Sequence, residues 1–238
     1  MSGIGDNVAR IREEVAQAAI DCGRDSSAVR VLAATKYTDR AGVAELAGAG
    51  MTLFGENRVR DASAKYGPSA EDVADSIRDL FPDCRLHFIG YLQRNKINQA
   101  LRLFDLVETV DRISLADGLE KRLAADDRVF PVLVEVKLTG EETKTGCPTD
   151  DLPALLDHLW GQCLHLAVRG LMGMGPWDPD PEVARPFYRR LKELFESNRP
   201  NAPDRSQFDT LSMGMSADFQ VAIEEGATLV RIGRAFFE

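Results

Sequence analysis

The chain has 238 residues, of which 44% are apolar, and a formal net charge of −9. That length suits one barrel of alternating strands and helices. The acidic balance argues against nucleic acid or an anionic membrane as a bulk partner, while leaving room for a local basic pocket that holds a small anion. No apolar run approaches the ~20 residues that span a bilayer, and the opening MSGIGDNVARIREE lacks the apolar segment of a secretory leader. The four cysteines form no CxxC pair, and the three histidines show no metal-ligand spacing. Reduced thiols and a cytoplasmic setting are the expectation.

In chain order, residues 4–22 place Ile4, Val8, Ile11 and Val15 at helical intervals, with Gly23 as the stop. Residues 29–36, VRVLAATK, form a strand that is apolar on both sides until it reaches Lys36, the pattern of a strand covered on both faces in a parallel sheet. A helix over 40–49, a strand over 52–56, helices over 57–66 and 70–80, a strand over 85–90, a helix over 93–103, a strand over 104–110 and a helix over 112–125 follow. The fifth strand, 130–137, carries Pro131 at its start, where a strand tolerates it. Residues 139–148 read as a polar loop, and the helix over 149–160 takes Thr149 as its N-cap. A strand over 168–174, a helix over 181–197, a strand over 210–215, a helix over 217–225 capped by Ser216 and a strand over 228–233 complete the series. Eight strands alternating with helices predict the α/β class: one (β/α)8 TIM barrel domain over 1–238. No helix follows the eighth strand, so the extra N-terminal helix is expected to cover that gap from outside.

The active site of such a barrel lies at the C-terminal ends of its strands, and Lys36 stands at one of them. Two readings of it are open. It is a solvated ammonium at a strand's end, or it is buried, with a lowered pKa, able to form a Schiff base. Arg231 interrupts the eighth strand on the face of Leu229 and Gly233. A fixed charge between buried faces needs a partner, either a ligand or a barrel carboxylate such as Glu135 or Glu56. Two small-residue segments, 212–216 (SMGMS) at the seventh strand's end and the next helix's start and 233–235 (GRA) after the eighth strand, stand where this barrel cradles phosphate on backbone N–H groups. Asp218 sets a negative charge at that cradle or complements the helix dipole while facing away. An amine that captures an aldehyde, an arginine and an anion seat together suit pyridoxal 5′-phosphate (PLP), the arginine leaving the pyridine nitrogen unprotonated. Lys137 shares a face with Glu135 and Leu133 and reads as an ion-pair partner of Glu135, with a second amine near the aldehyde as the alternative. Met172, Met174, Met213 and Met215 read as core filler, and His87 as a hydrogen-bonded near-core histidine.

The stretches LAATKYT, FGENRV, LHFIGYLQRNK, VETVDR, TGEETKTG, RGLMGM and LSMGMSADFQVAIEEGATLVRIGRAFF resemble the pyridoxal phosphate homeostasis protein family, single-domain relatives of the alanine racemase barrel. The resemblance implies an alanine racemase N-terminal-domain-like fold with PLP as cofactor. It implies Lys36 as the Schiff-base lysine, Asn57 as a pocket residue, Ser212, Ser216, Gly233 and Arg234 on the phosphate-binding segments, and Arg231 facing the pyridine nitrogen. It implies a non-catalytic role: holding PLP, buffering it and supplying it to the apo-forms of PLP enzymes; the charge and residue spacing above predict no metal, nucleic-acid or membrane partner. A monomer is expected. The alternative is a weak PLP-dependent amino-acid racemase; racemases of this fold use a second, β-rich domain and its tyrosine, and no segment of this chain resembles it. A phosphate-binding sugar isomerase on the same barrel is a third reading. The chain departs from the family pattern in Thr35 where serine is common, Lys137 where asparagine is common, residues 173–177 (GMGPW) after the Gly-Leu-Met, and Arg234 where threonine is frequent.

Overall fold

The computed structural model describes residues 3–67, 77–141 and 145–238. Its strands are β1 (Arg30–Ala34), β2 (Leu53–Glu56), β3 (Arg85–Phe88), β4 (Leu106–Val110), β5 (Phe130–Lys137), β6 (Cys147–Pro148), β7 (Leu166–Gly173), β8 (Thr210–Met215) and β9 (Leu229–Ile232). All pairings are parallel, and eight strands close in the order β1-β2-β3-β4-β5-β7-β8-β9. Closure is made by β9 against β1, with Leu32 opposite Arg231 and Ala33 opposite Ile232. The protein is a closed parallel barrel of eight strands, as the strand count predicts. The short β6 was not expected. It lies in the stretch read as a polar loop and extends the far end of β5, pairing Val136 with Cys147 and Lys137 with Pro148.

The helices are α1 (Ile4–Asp21), α2 (Arg40–Gly48), α3 (Val59–Tyr66), α4 (Ile77–Leu80), α5 (Ile97–Leu103), α6 (Ile113–Ala125), α7 (Leu152–Gln162), α8 (Arg185–Asn198) and α9 (Phe219–Glu224). Most of the helix expected over 70–80 lies outside the described residues. A strand buried on both faces needs cover outside the barrel, and after β9 that cover comes from the N-terminal helix, as expected. Helix α1 buries Val8, Ile11 and Val15 and packs against α2, α9 and the turn after β9. The Asn7 amide donates to the carbonyls of Phe236 and Glu238, each at 3.1 Å. No helix among the described residues is long and apolar enough to cross a membrane.

Two expected caps are absent. Helix α7 starts at Leu152, and the Thr149 hydroxyl contacts Asp150 rather than the helix. Pro153 in the first turn has no N–H to satisfy. Helix α9 starts at Phe219, and the Ser216 hydroxyl turns instead to the strand-β9 side of the mouth. Where β8 pairs with β9 the register slips between Ser212 and Met215. Gly214 sits in that slip at φ +91°, and a Cβ there would lie 2.6 Å from the Ala222 Cβ. Only glycine meets both demands, and the slip turns residues 215–217 over the mouth.

Candidate functional site at the barrel mouth

A cavity of about 410 Å³ opens at the C-terminal ends of the strands. Of the seven residues expected there, Lys36, Asn57, Ser216, Arg231, Gly233 and Arg234 line it, whereas Ser212 does not. Strand β1 stops at Ala34, and residues Thr35–Tyr37 form a 3-10 turn that lifts Lys36 over the mouth. Lys36 is therefore exposed, not buried at a strand end, and its Nζ lies 4.9 Å from the centre of the Tyr37 ring. Across the cavity floor, Asn57 is pressed against Gly90, where any Cβ would come within 2.2 Å of the Asn57 carbonyl.

Arg231 is 5% exposed, and its partners are not those expected. Its Nη1 donates to Ser212 Oγ at 2.6 Å and its Nη2 to the Gly173 carbonyl at 3.0 Å. Ser212 in turn donates to Glu108 Oε2 at 2.6 Å, which brings Arg231 within 4.0 Å of that carboxylate. The other oxygen of Glu108 meets His87 Nδ1 at 2.7 Å. A chain His87–Glu108–Ser212–Arg231 thus crosses the barrel interior from β3 to β9. Burial alone would raise the Glu108 pKa, but the bond and charge of His87, the charge of Arg231 and the Ser212 hydroxyl together hold it below the ordinary carboxylate value. Neither Glu135 nor Glu56 pairs with Arg231. Ser212 lies beneath the cavity, where it holds the guanidinium in place.

On the β8–β9 side, Gly233 N–H donates to Ser216 Oγ at 3.2 Å. Asp218 does not face away. It is 7% exposed and accepts the Met215 N–H at 2.6 Å and the Tyr188 hydroxyl at 2.8 Å. It locks the turn after β8 to α8. Among the described residues, no hydrogen bond engages the backbone N–H groups of Ser216, Ala217 and Arg234, so this wall presents unpaired donors to the cavity.

Residues 7–238 match the family model of the alanine racemase N-terminal domain. The pyridoxal phosphate homeostasis protein of Aquifex aeolicus is 36% identical over 232 residues, covering 98% of this chain and 96% of the relative. That of Pseudomonas aeruginosa is 37% identical over 241 residues, covering 100% and 96%. Among solved structures, PipY of Synechococcus elongatus PCC7942, with PLP bound, superposes with a TM-score of 0.83 at 30% identity, covering 99% of this chain and 100% of that one. This chain belongs to the pyridoxal phosphate homeostasis protein family. The alanine racemase of Clostridium difficile, at 10% identity and a TM-score of 0.71, shares the fold over 59% of its own length.

Other features of this homeostasis-family barrel escape a reading of the sequence. Glu135, 2% exposed, lines the same cavity. Burial pushes its carboxyl up to about 7, aided by the charge of Asp111 and opposed by the Thr145 hydroxyl and Arg231. Thr145 donates to both its oxygens, at 3.0 and 3.3 Å. The expected ion pair with Lys137 is not formed among the described residues. Met172 and Met213 are core, as expected, but Met174 and Met215 line the cavity. Tyr37, Tyr91 and Trp177 stand exposed around its rim. Away from the mouth, ligating atoms of Asp117, His158 and Cys163 gather within 4.8 Å of one another. Spacing along the chain hid this group because Asp117 comes from a different helix. His158 is bonded to Asp117 at 2.7 Å, and burial pushes the Cys163 thiol up to about 11.

Proposed function

We infer that this chain binds PLP in the mouth cavity and serves cofactor homeostasis, as a cytoplasmic, monomeric carrier forming one domain over 1–238. The observation that carries the reading is the convergence of three unlike groups on one cavity: a reachable amine at Lys36, unpaired backbone donors on the β8–β9 wall, and a buried, immobilised arginine at 231. The family names of the relatives and the PLP-bound PipY support it.

The residues present fit the group. A cavity of about 410 Å³ lies in the ordinary range for small-molecule sites, roughly 300–1,000 Å³. Lys36 would hold the aldehyde covalently through its amine. The N–H groups of Ser216, Ala217 and Arg234 would hold the phosphate, and Asn57 would bound the ring. Bound PLP supplies an aldehyde that any amine can capture and, when its pyridine nitrogen is protonated, an electron sink. Arg231 cannot give up its proton, so it offers that nitrogen a donor and nothing to take up. Ser212, Glu108 and Gly173 fix the guanidinium in that role. The amine at Lys36 stands in the open and within reach of a partner protein, which favours release to apo-enzymes over enclosed catalysis.

The test is borohydride reduction of the protein loaded with PLP, followed by peptide mass mapping. The adduct is expected on Lys36 and lost in Lys36→Ala. An adduct on Lys137, or on no lysine, overturns the assignment. Purified loaded protein is expected to turn over neither D- nor L-amino acids at enzymatic rates; sustained racemisation would favour the weak-racemase alternative.

A further inference from the structure

Thr35, the residue before Lys36, is fully buried, although Lys36 is exposed. Its hydroxyl donates to Glu56 Oε1 at 2.7 Å and lies 2.7 Å from the Tyr66 hydroxyl. Its carbonyl accepts from Lys65 Nζ at 2.7 Å and from the Thr38 N–H at 3.2 Å. Lys65 also donates to Glu56 Oε1 at 2.8 Å, and this ion pair is 14% exposed at the lysine and 0% at the glutamate. Threonine has one hydroxyl proton. With that proton on Glu56, Tyr66 must donate into Thr35. Donation therefore runs from Tyr66 to Thr35 to Glu56, and Lys65 closes the loop back onto the Thr35 carbonyl.

Nothing in this group touches the cavity: none of the four residues lines it. The carbonyl of the peptide unit leading into Lys36 and the Thr35 side chain are nonetheless both tied. Glu56 ends β2, and Lys65 and Tyr66 come from the last turn of α3, so two neighbouring elements grip the end of β1. The second oxygen of Glu56 is buried with no hydrogen-bond partner. A buried carboxylate left half-satisfied is costly, and its other oxygen is committed wholly to Thr35 and Lys65. The geometry points to a positioning clamp: Thr35, Glu56, Lys65 and Tyr66 hold the 3-10 turn so that the Lys36 amine, free in its own side chain, is presented to the cofactor aldehyde from a fixed backbone. None of the four is a catalytic residue. The proposal rests on the PLP reading above and deepens it.

The experiment compares the full-length wild-type chain with Thr35→Val, Thr35→Ser, Tyr66→Phe and Glu56→Gln. The first-order rate of PLP attachment is followed by absorbance at saturating PLP, and amide exchange at residues 36–38 is measured without cofactor. Misplacing a reacting group by about 1 Å costs as much as 100-fold, so Thr35→Val and Glu56→Gln are expected to attach PLP at least about tenfold more slowly, with faster exchange at Thr38. Thr35→Ser, which keeps the hydroxyl, is expected to stay within about twofold of wild type on both readouts. A purely structural role would lower the melting temperature and leave the attachment rate of the folded protein unchanged. If Thr35→Val does not fold, Tyr66→Phe, which removes only the donor into Thr35, decides the matter by a rate about threefold slower. A wild-type rate in the folded variants, or unchanged exchange at Thr38, overturns the clamp. Absence of any Lys36 adduct in the wild-type chain overturns the cofactor reading instead, a separate result.

Discussion

The β1–β2 side of the mouth and the β8–β9 side solve the same task with different materials. Beside Lys36, side chains from β2 and α3 reach into one knot around Thr35. Beside Gly233, the wall is mostly main chain: unpaired N–H groups on a turn shaped by Gly214 and tied by Asp218 and Tyr188. Main-chain donors are placed by the fold itself and lose no rotamer freedom on use, but they tolerate no added Cβ where the backbone is left-handed. A side-chain knot tolerates backbone variation and depends on every member. The first side should therefore fail by losing hydroxyls and charges, the second by gaining methyl groups, and the arginine between them by losing its anchor.

The largest expected effect tests that anchor. Arg231→Leu leaves Glu108 buried with only His87 and Ser212, and breaking a buried pair from one end costs about 3–5 kcal/mol. Urea unfolding of the cofactor-free variant measures it, and Arg234→Ala, an exposed neighbour, is the control, expected within about 0.5 kcal/mol. Next comes Gly214→Ala, which meets both φ +91° and the Ala222 methyl. It is expected to cost about 1–3 kcal/mol, and to weaken PLP affinity in equilibrium titration more than Ala217→Gly does. A wild-type affinity would mean that the β8–β9 turn does not shape the seat.

The smallest effect depends on pH. The folded protein holds the Glu135 proton up to about 7, whereas the unfolded chain releases it near the ordinary 4.5. Between those values the folded state binds more protons, so stability falls as pH rises through the window and stays lowered above it. Glu135→Gln carries no such penalty. Discounted from roughly 1.4 kcal/mol per pKa unit, it is expected to unfold about 1–2 kcal/mol less readily than wild type at pH 8.5 and to gain nothing at pH 4.5. A constant difference across that range would show that Glu135 does not titrate in the window.

The barrel was readable because burial on both faces leaves a plain mark: apolar runs of five or six residues, each ending where polarity returns. Lys36 and Arg231 stood out against those runs. The same test would have found Glu108 in the middle of LVETV, the partner that Arg231 reaches through Ser212. Glu135 and Glu56 were the wrong carboxylates because strand parity shows which residues share a face, not how high each sits in the barrel or how the register slips at Gly214. Lys65, Tyr66 and Tyr188 were invisible for another reason. A polar residue on a helix is ordinary, and only the packed helix shows which one turns inward. Lys36 stayed open between a solvated and a buried amine because the one turn of 3-10 helix after Ala34 that lifts it clear of the sheet is three residues long and carries no periodicity.

The two tryptophans of the chain occupy opposite settings. Trp160 packs edge-on against Phe208, with ring centres 6.0 Å apart, whereas Trp177 stands 77% exposed on the cavity rim. Light emitted by the first reports on the scaffold, and light emitted by the second on the doorway. Mutating either one to phenylalanine separates the two signals, so the molecule carries its own fluorescent gauge of arrivals and departures, with an internal standard built in.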